Sequence, residues 1–365
     1  MSNTGSARTP LPPRSVDDAP LRSAADLVAA GLISPERKAM AAEVAEHFAI
    51  GLSRPLAALI DPNDPDDPIA RQFLPDIAEL TLLPEERSDP IGDAARSPIE
   101  GLVHRYPDRV LLKLIGVCPV YCRFCFRREM VGPGQGTQLS AEALDAAFGY
   151  IARHREIFEV ILTGGDPLLV APRRLAEVTK RLASIDHVKI LRIHTRVPVA
   201  EPALVSEALV EVLRQARQTV YVALHANHPR ELTAEARVAC DRLIDAGIPM
   251  LSQSVLLRGV NDKVETLAEL MRSFVAARIK PYYLHHPDLA RGTSHFRLSI
   301  AEGRALVGQL RGRLSGLCQP QYVLDIPGGF GKVPLGPSFV TNRGEAFQAE
   351  DFCGQSHDYP PPNTP

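Results

Sequence analysis

No apolar run in this sequence approaches the roughly 18 residues of a membrane-spanning helix, so no membrane partner is expected. A basic excess is missing as well. The 41 Lys and Arg are matched by 43 Asp and Glu, a net charge of −2, and no global positive field recruits nucleic acid. Residues 1–18 are rich in Ser, Pro, Arg and Thr and lack the apolar centre of a signal peptide. A reducing, cytoplasmic compartment follows, one that suits free thiols. Repeats and low-complexity tracts are also wanting. Cysteine is sparse, six in 365 residues, and Cys240, Cys318 and Cys353 stand singly.

The other three stand together. Cys118, Cys122 and Cys125 are spaced C-x3-C-x2-C, directly after the apolar run 110–117. Thiolates this close let one loop fold around an iron–sulfur cluster, and three of them leave the fourth iron of a cubane open to a small molecule. The alternatives fit less well. Structural zinc wants four closed ligands, usually as two pairs; only His104 offers a fourth nearby. A disulfide suits neither three close cysteines nor the missing secretory signal. Around the loop crowd Arg105, Arg109, Lys113, Arg123, Arg127 and Arg128, with Asp108 the one acid among them. The expectation is a pocket for phosphate and carboxylate, which arginine binds bidentately.

Hydrophobic content of 45% supports a sizeable core. From residue 110 apolar runs (110–117, 159–163, 189–194, 219–225, 249–257, 280–285) alternate with helical patterns (140–154, 172–184, 202–217, 232–246, 263–278, 300–314). Short buried runs alternating with longer helices indicate a parallel sheet with covered faces, and six units in series suggest a barrel. Chemical residues fall at the ends of the runs: Cys118, Gly164, His225, His285 and Asp288. Ligand-binding groups belong at that rim. The expected division is a disordered arm at 1–18, a helical region at 19–100, the barrel at 101–315, a C-terminal segment at 316–354 and a disordered tail at 355–365. Within the helical region Ser34 is expected to cap a helix starting at Pro35. A further strand is expected at 321–324.

The cysteine loop resembles the signature of the radical S-adenosylmethionine (SAM) enzymes. Its neighbours resemble one branch, the lysine 2,3-aminomutase family: residues 104–111 (HRYPDRVL), 122–128 (CRFCFRR), 163–167 (TGGDP), 192–196 (RIHTR) and 327–332 (PGGFGK). The resemblance runs from about Asp61 to Val340 and implies a partial (β/α)6 barrel. It implies a [4Fe–4S] cluster on Cys118, Cys122 and Cys125, with SAM at its open iron. Gly164, Gly165 and Asp166 would contact the methionine part of SAM, with His225 near it. Lys332 would carry pyridoxal 5′-phosphate (PLP), held also by Arg105, Tyr106, Arg109 and Gln253. Arg127 would hold the carboxylate of L-lysine, and Asp288 and Asp325 its distal ammonium. The implied activity is an isomerase's 1,2-amino migration to β-lysine, fed by an electron donor such as a flavodoxin or ferredoxin.

Each residue also has an ordinary reading. A lysine on a glycine-rich loop is by base rate a solvated surface lysine. TGGDP alone is a common turn, a histidine at a strand end is commonly a satisfied polar residue, and the two aspartates have possible roles in loops. Two departures from the family pattern stand out. Phe330 replaces a glycine of the lysine loop. Lys263 follows Gly259–Asp262 where longer members place a zinc-ligating cysteine, and the tail has only Cys353. Zinc is therefore not expected, and the homo-oligomer contacts that longer members make through it are in question. The rival readings are an (R)-β-lysine synthase serving elongation factor P, an aminomutase for another amino acid such as glutamate, and a non-catalytic iron–sulfur or zinc protein.

Overall fold

The computed structural model describes residues 19–132, 138–344 and 346–361; the arm expected at 1–18 lies outside them. Nine strands form one sheet in sequence order: β1 (Leu102–Tyr106), β2 (Arg109–Ile115), β3 (Glu159–Gly164), β4 (Ile190–Thr195), β5 (Thr219–His225), β6 (Met250–Val255), β7 (Ile279–His285), β8 (Gln321–Ile326) and β9 (Gly331–Pro334). Neighbours from β2 to β8 pair in parallel, while β1 and β9 add antiparallel edges. The (β/α)6 reading therefore holds, and every expected strand lies within two residues of its observed bounds. Val, Ile and Leu fill β2–β5 because both faces of a parallel strand are covered.

Among the described residues eleven helices accompany the strands. α1 (Ala24–Ala29), α2 (Lys38–His47), α3 (Arg54–Ala57) and α4 (Pro68–Phe73) precede the sheet. α5 (Ala141–Arg153), α6 (Pro172–Ala183), α7 (Val197–Ala200), α8 (Glu207–Arg214), α9 (Ala234–Asp245), α10 (Val264–Ala276) and α11 (Ile300–Gly308) cover it. Side-chain oxygens of Ser140, Ser206, Thr233 and Ser299 accept the free N–H groups that open α5, α8, α9 and α11. Two expected helices are shorter than the periodicity suggests. At 202–217 a 3-10 turn comes first and Ser206 starts the helix only at Glu207. At 300–314 the helix stops at Gly308, ahead of Gly312 with φ +73°. Ser34 does not cap as expected: it precedes a 3-10 turn, with no capping hydrogen bond from its side chain.

Among the described residues two large hydrophobic cores result, beside a small cluster of Leu257, Val260 and Phe296. The larger joins the strands to their covering helices. The smaller gathers Leu27, Leu52, Leu56, Ile69 and Phe73 of the N-terminal region around Val120 and Ala200. Val120 stands between Cys118 and Cys122, so the cysteine loop is rooted in the second core. Past β9, β10 (Val340–Asn342), β11 (Phe347–Glu350) and β12 (Ser356–Tyr359) make a separate antiparallel sheet. The tail expected to be disordered from 355 thus pairs through 356–359, because β11 supplies a partner before the Pro360 run begins. Among the described residues no helix is long and apolar enough to cross a membrane.

Candidate active site

The C-terminal ends of the strands surround a cavity of about 480 Å³. Its lining includes Cys118, Cys122, Cys125, Gly164, Gly165, Asp166, His225, Lys332, Arg105, Tyr106, Arg109, Gln253, Arg127, Asp288 and Asp325. Every site residue expected from the sequence therefore faces one space, although the chain separates the first from the last by more than 200 positions. A shallower depression of about 690 Å³, between α11 and the β10–β12 sheet, holds none of them.

At one end the cysteine loop is held from outside. The backbone N–H groups of Tyr121 and Arg123 donate to the carbonyls of Gly51 and Gln72, both at 2.8 Å. Arg123 is 2% exposed and grips Glu79 through Nε (2.9 Å) and Nη2 (2.6 Å). Arg128 also donates to Glu79 and to the Gly292 carbonyl. This corrects the expectation for the basic cluster. Arg105, Arg109 and Arg127 line the cavity; Arg123, Arg128 and Lys113 do not. A buried carboxylate 44 residues upstream takes the first two, since a buried guanidinium needs a partner of opposite charge. His104 is likewise occupied elsewhere, with Nδ1 at 2.9 Å from the Tyr150 hydroxyl.

The three thiols are unbridged. Burial pushes all three up, Cys125 to about 11, and Arg196 partly offsets this for Cys122 by donating from Nη1 to its Sγ at 3.0 Å. Buried thiols without a cation stay protonated, and a soft metal centre would ionise them. Three sulfur donors on one cavity wall fit a cluster bound through three irons. Arg196 itself is anchored by Glu231 (2.5 Å) and Gln72 (3.0 Å).

Beside the loop, Gly164 and Gly165 press against the end of β2. Gly164 has φ +112°, and a Cβ on Gly165 would stand 2.1 Å from the Val117 carbonyl oxygen. Only glycine allows that approach. The Asp166 carboxylate accepts from Thr195 Oγ1 (2.7 Å) and from the Arg196 N–H (2.6 Å). Its side chain ties the ends of β3 and β4 together, beside the Gly164–Gly165 backbone that lines the cavity with it.

The other end carries the lysine. Lys332 Nζ lies 2.7 Å from Asp325 Oδ1, with Arg105 Nη1 at 3.6 Å and His285 Nδ1 3.3 Å from Oδ2. Burial alone would raise Asp325, but His285 and Lys332 hold its carboxyl well below the usual range. Asp288 has no such partner among the described residues. Burial, reinforced by Asp325, pushes it up to about 8 against the pull of Lys332, Arg127 and Arg105. The Tyr106 hydroxyl accepts the Lys332 backbone N–H at 2.6 Å and so ties β1 to β9 across the open edge of the barrel. Gln253 Nε2 lies 3.3 Å from His194 Nε2, and burial keeps His194 and His225 neutral, His225 down to about 3. An amine on a left-handed glycine loop, an Arg105 Nε with no protein partner and the arginine-stacked ring of Tyr106 fit a phosphorylated aldehyde cofactor.

Three residues escape a reading by motif: Glu79, Asp93 and Glu231. Asp93 is fully buried between Arg105 and Arg127. His194, Arg196 and His285 lay in stretches already singled out, but their partners are far off in sequence. Nothing local marked Glu79 or Asp93.

The Radical SAM superfamily model matches residues 112–271. The chain is 42% identical over 286 residues to an L-lysine 2,3-aminomutase of Clostridium subterminale, covering 78% of this chain and 68% of that one. It is 41% identical to a putative L-lysine 2,3-aminomutase of Aquifex aeolicus, covering 83% and 82%. A glutamate 2,3-aminomutase of Clostridioides difficile is 34% identical, covering 86% and 74%.

Proposed function

The chain belongs to the lysine 2,3-aminomutase family of radical SAM enzymes, and from that premise we propose that it converts L-lysine to β-lysine with PLP carried on Lys332. The observation that carries the reading is the ammonium of Lys332 resting 2.7 Å from Asp325, close to a second acid, Asp288. An ammonium of the chain itself resting beside this acid pair supports a cationic distal group on the substrate. A glutamate substrate would place a third carboxylate where two already crowd one another, and like charges in a dry site are strongly unfavourable.

Cys118, Cys122 and Cys125 would hold the cluster, Gly164 and Gly165 would border SAM, and Arg105, Arg109 and Tyr106 would hold PLP beside Lys332. When bound, cluster and SAM supply a radical able to take a hydrogen atom, and PLP supplies a π-system that spreads an unpaired electron. The protein's part is orientation. Arg127 binds the α-carboxylate, and Asp288 and Asp325 bind the distal ammonium, so the α- and β-carbons are fixed between the two ends. Lys332 Nζ must leave Asp325 to carry PLP, which frees that carboxylate for substrate. His194 and His225, kept neutral by burial, add no charge to the centre of the cavity.

The test is chromatography of products from L-lysine and L-glutamate, with anaerobic protein, SAM, PLP and a reductant. β-Lysine from lysine supports the reading. Conversion of glutamate but not lysine, with cluster and PLP fully loaded, refutes it.

A further inference from the structure

Among the described residues Asp93 is the one buried carboxylate that touches two of the cavity's arginines. It sits in the turn before β1, with its backbone N–H donated to Asp89 Oδ1 at 2.9 Å. Its side chain is wholly buried. Oδ1 accepts from Arg105 Nη2 at 3.1 Å. Oδ2 accepts from Arg127 twice, from Nε at 3.0 Å and Nη2 at 2.8 Å. On its other side Arg127 Nη1 donates to Thr163 Oγ1 at 3.1 Å.

A guanidinium has five N–H groups in a planar fork. Asp93 takes the edge made by Nε and Nη2, and Thr163 takes one hydrogen of Nη1. These partners leave one N–H on Nη1 and one on Nη2. Both belong to a side chain that lines the cavity, and a guanidinium suits a carboxylate. Burial opposes ionisation of Asp93, but Arg127 first and then Arg105 and Lys113 keep it charged.

The geometry points to Asp93 as the positioning residue that aims Arg127, and so makes the site select substrates bearing an α-carboxylate. This rests on the assignment of Arg127 to the substrate carboxylate. The same carboxylate holds Arg105, so one acid sets both the substrate-binding and the cofactor-binding arginine. The turn that carries it is fixed in place. A Cβ on Gly92 would meet the Gly328 carbonyl carbon and the Gly329 nitrogen at 2.5 Å, so this turn packs directly on the loop that precedes Lys332.

The test is calorimetric binding to cluster- and PLP-loaded protein, without reductant so that nothing turns over. The two ligands are L-lysine and 1,5-diaminopentane, which lacks only the carboxylate. Wild-type protein should prefer lysine. In Asp93→Asn that preference should shrink by roughly 10- to 150-fold, the equivalent of about 1.5–3 kcal/mol for charged hydrogen bonds, with diaminopentane affinity nearly unchanged. A merely structural role would weaken both ligands alike, and equal loss, or an intact preference, overturns the proposal. If Asp93→Asn does not fold, Thr163→Val, which releases only Nη1, should lose part of the preference; full retention there overturns it equally. Wild-type protein that binds neither ligand would instead overturn the lysine reading itself.

Discussion

The two ends of the cavity treat charge in opposite ways. At the cysteine end each buried arginine has its carboxylate: Arg123 and Arg128 share Glu79, and Arg196 has Glu231. At the lysine end Lys332, Arg105 and His285 all turn to Asp325, and Asp288 has no ion-pair partner among the described residues. Paired buried charge fixes a loop in one position. An unpaired buried carboxyl keeps its proton until a cationic ligand arrives. The contrast separates scaffold from binding site more sharply than the cavity outline does, since the same lining runs through both.

The largest expected effect lies at the cysteine end. Cys118→Ala, Cys122→Ala or Cys125→Ala should abolish both iron and activity, while Cys240→Ser and Cys353→Ser should leave iron unchanged. Full iron in all three alanine variants would remove the cluster from the account. Next comes the scaffold itself. Glu79→Gln leaves two buried arginines without the carboxylate they share, which typically costs about 3–5 kcal/mol. A lower melting temperature and poor cluster loading should follow. An unaltered melt would show that this end is not held as its geometry suggests.

At the other end, Asp288→Asn or Asp325→Asn should leave iron and PLP intact. Lysine turnover should fall by roughly 30- to 4,000-fold, from the ~2–5 kcal/mol lost with a buried charged partner. Equal losses of cofactor and turnover would erase the contrast between the ends.

The smallest effect is on pH. Asp288 is raised to about 8 in the folded protein, against roughly 3.9 unfolded. The fold therefore binds a proton that the unfolded chain has released, and this contribution to stability is lost as pH rises towards 8. A substrate ammonium reverses the preference by favouring the charged carboxylate. Lysine binding should release a proton at pH 7, and affinity should climb by at most about tenfold per unit up to pH 8, then level off. Asp325, Lys332, Arg127 and Arg105 face the same group. The slope should vanish in Asp288→Asn; a wild-type affinity flat from pH 6.5 to 8.5 would contradict the assignment.

The order of strands and the cavity's chemical groups were legible because both are written locally. Period and turn residues mark β2–β8, and the three cysteines, the glycine pair and Lys332 lie in short motifs. The partners were not. Arg123 and Glu79 are 44 residues apart, Arg127 and Asp93 34, and Gln72 and Glu231 159. A run of arginines reads the same whether it faces a ligand or a buried glutamate. That is why Arg123 and Arg128 were expected in the pocket and lie outside it. β1 was missed as a strand because only five residues form it and three of them, His104, Arg105 and Tyr106, carry polar groups.

Everything at the lysine end depends on Lys332 leaving Asp325 to carry PLP. The direct test is borohydride reduction of the PLP-loaded protein followed by peptide mapping. The pyridoxyl group should be found on Lys332. A label on another lysine would contradict the account, and with it the roles given to Asp325, Arg105 and Arg109.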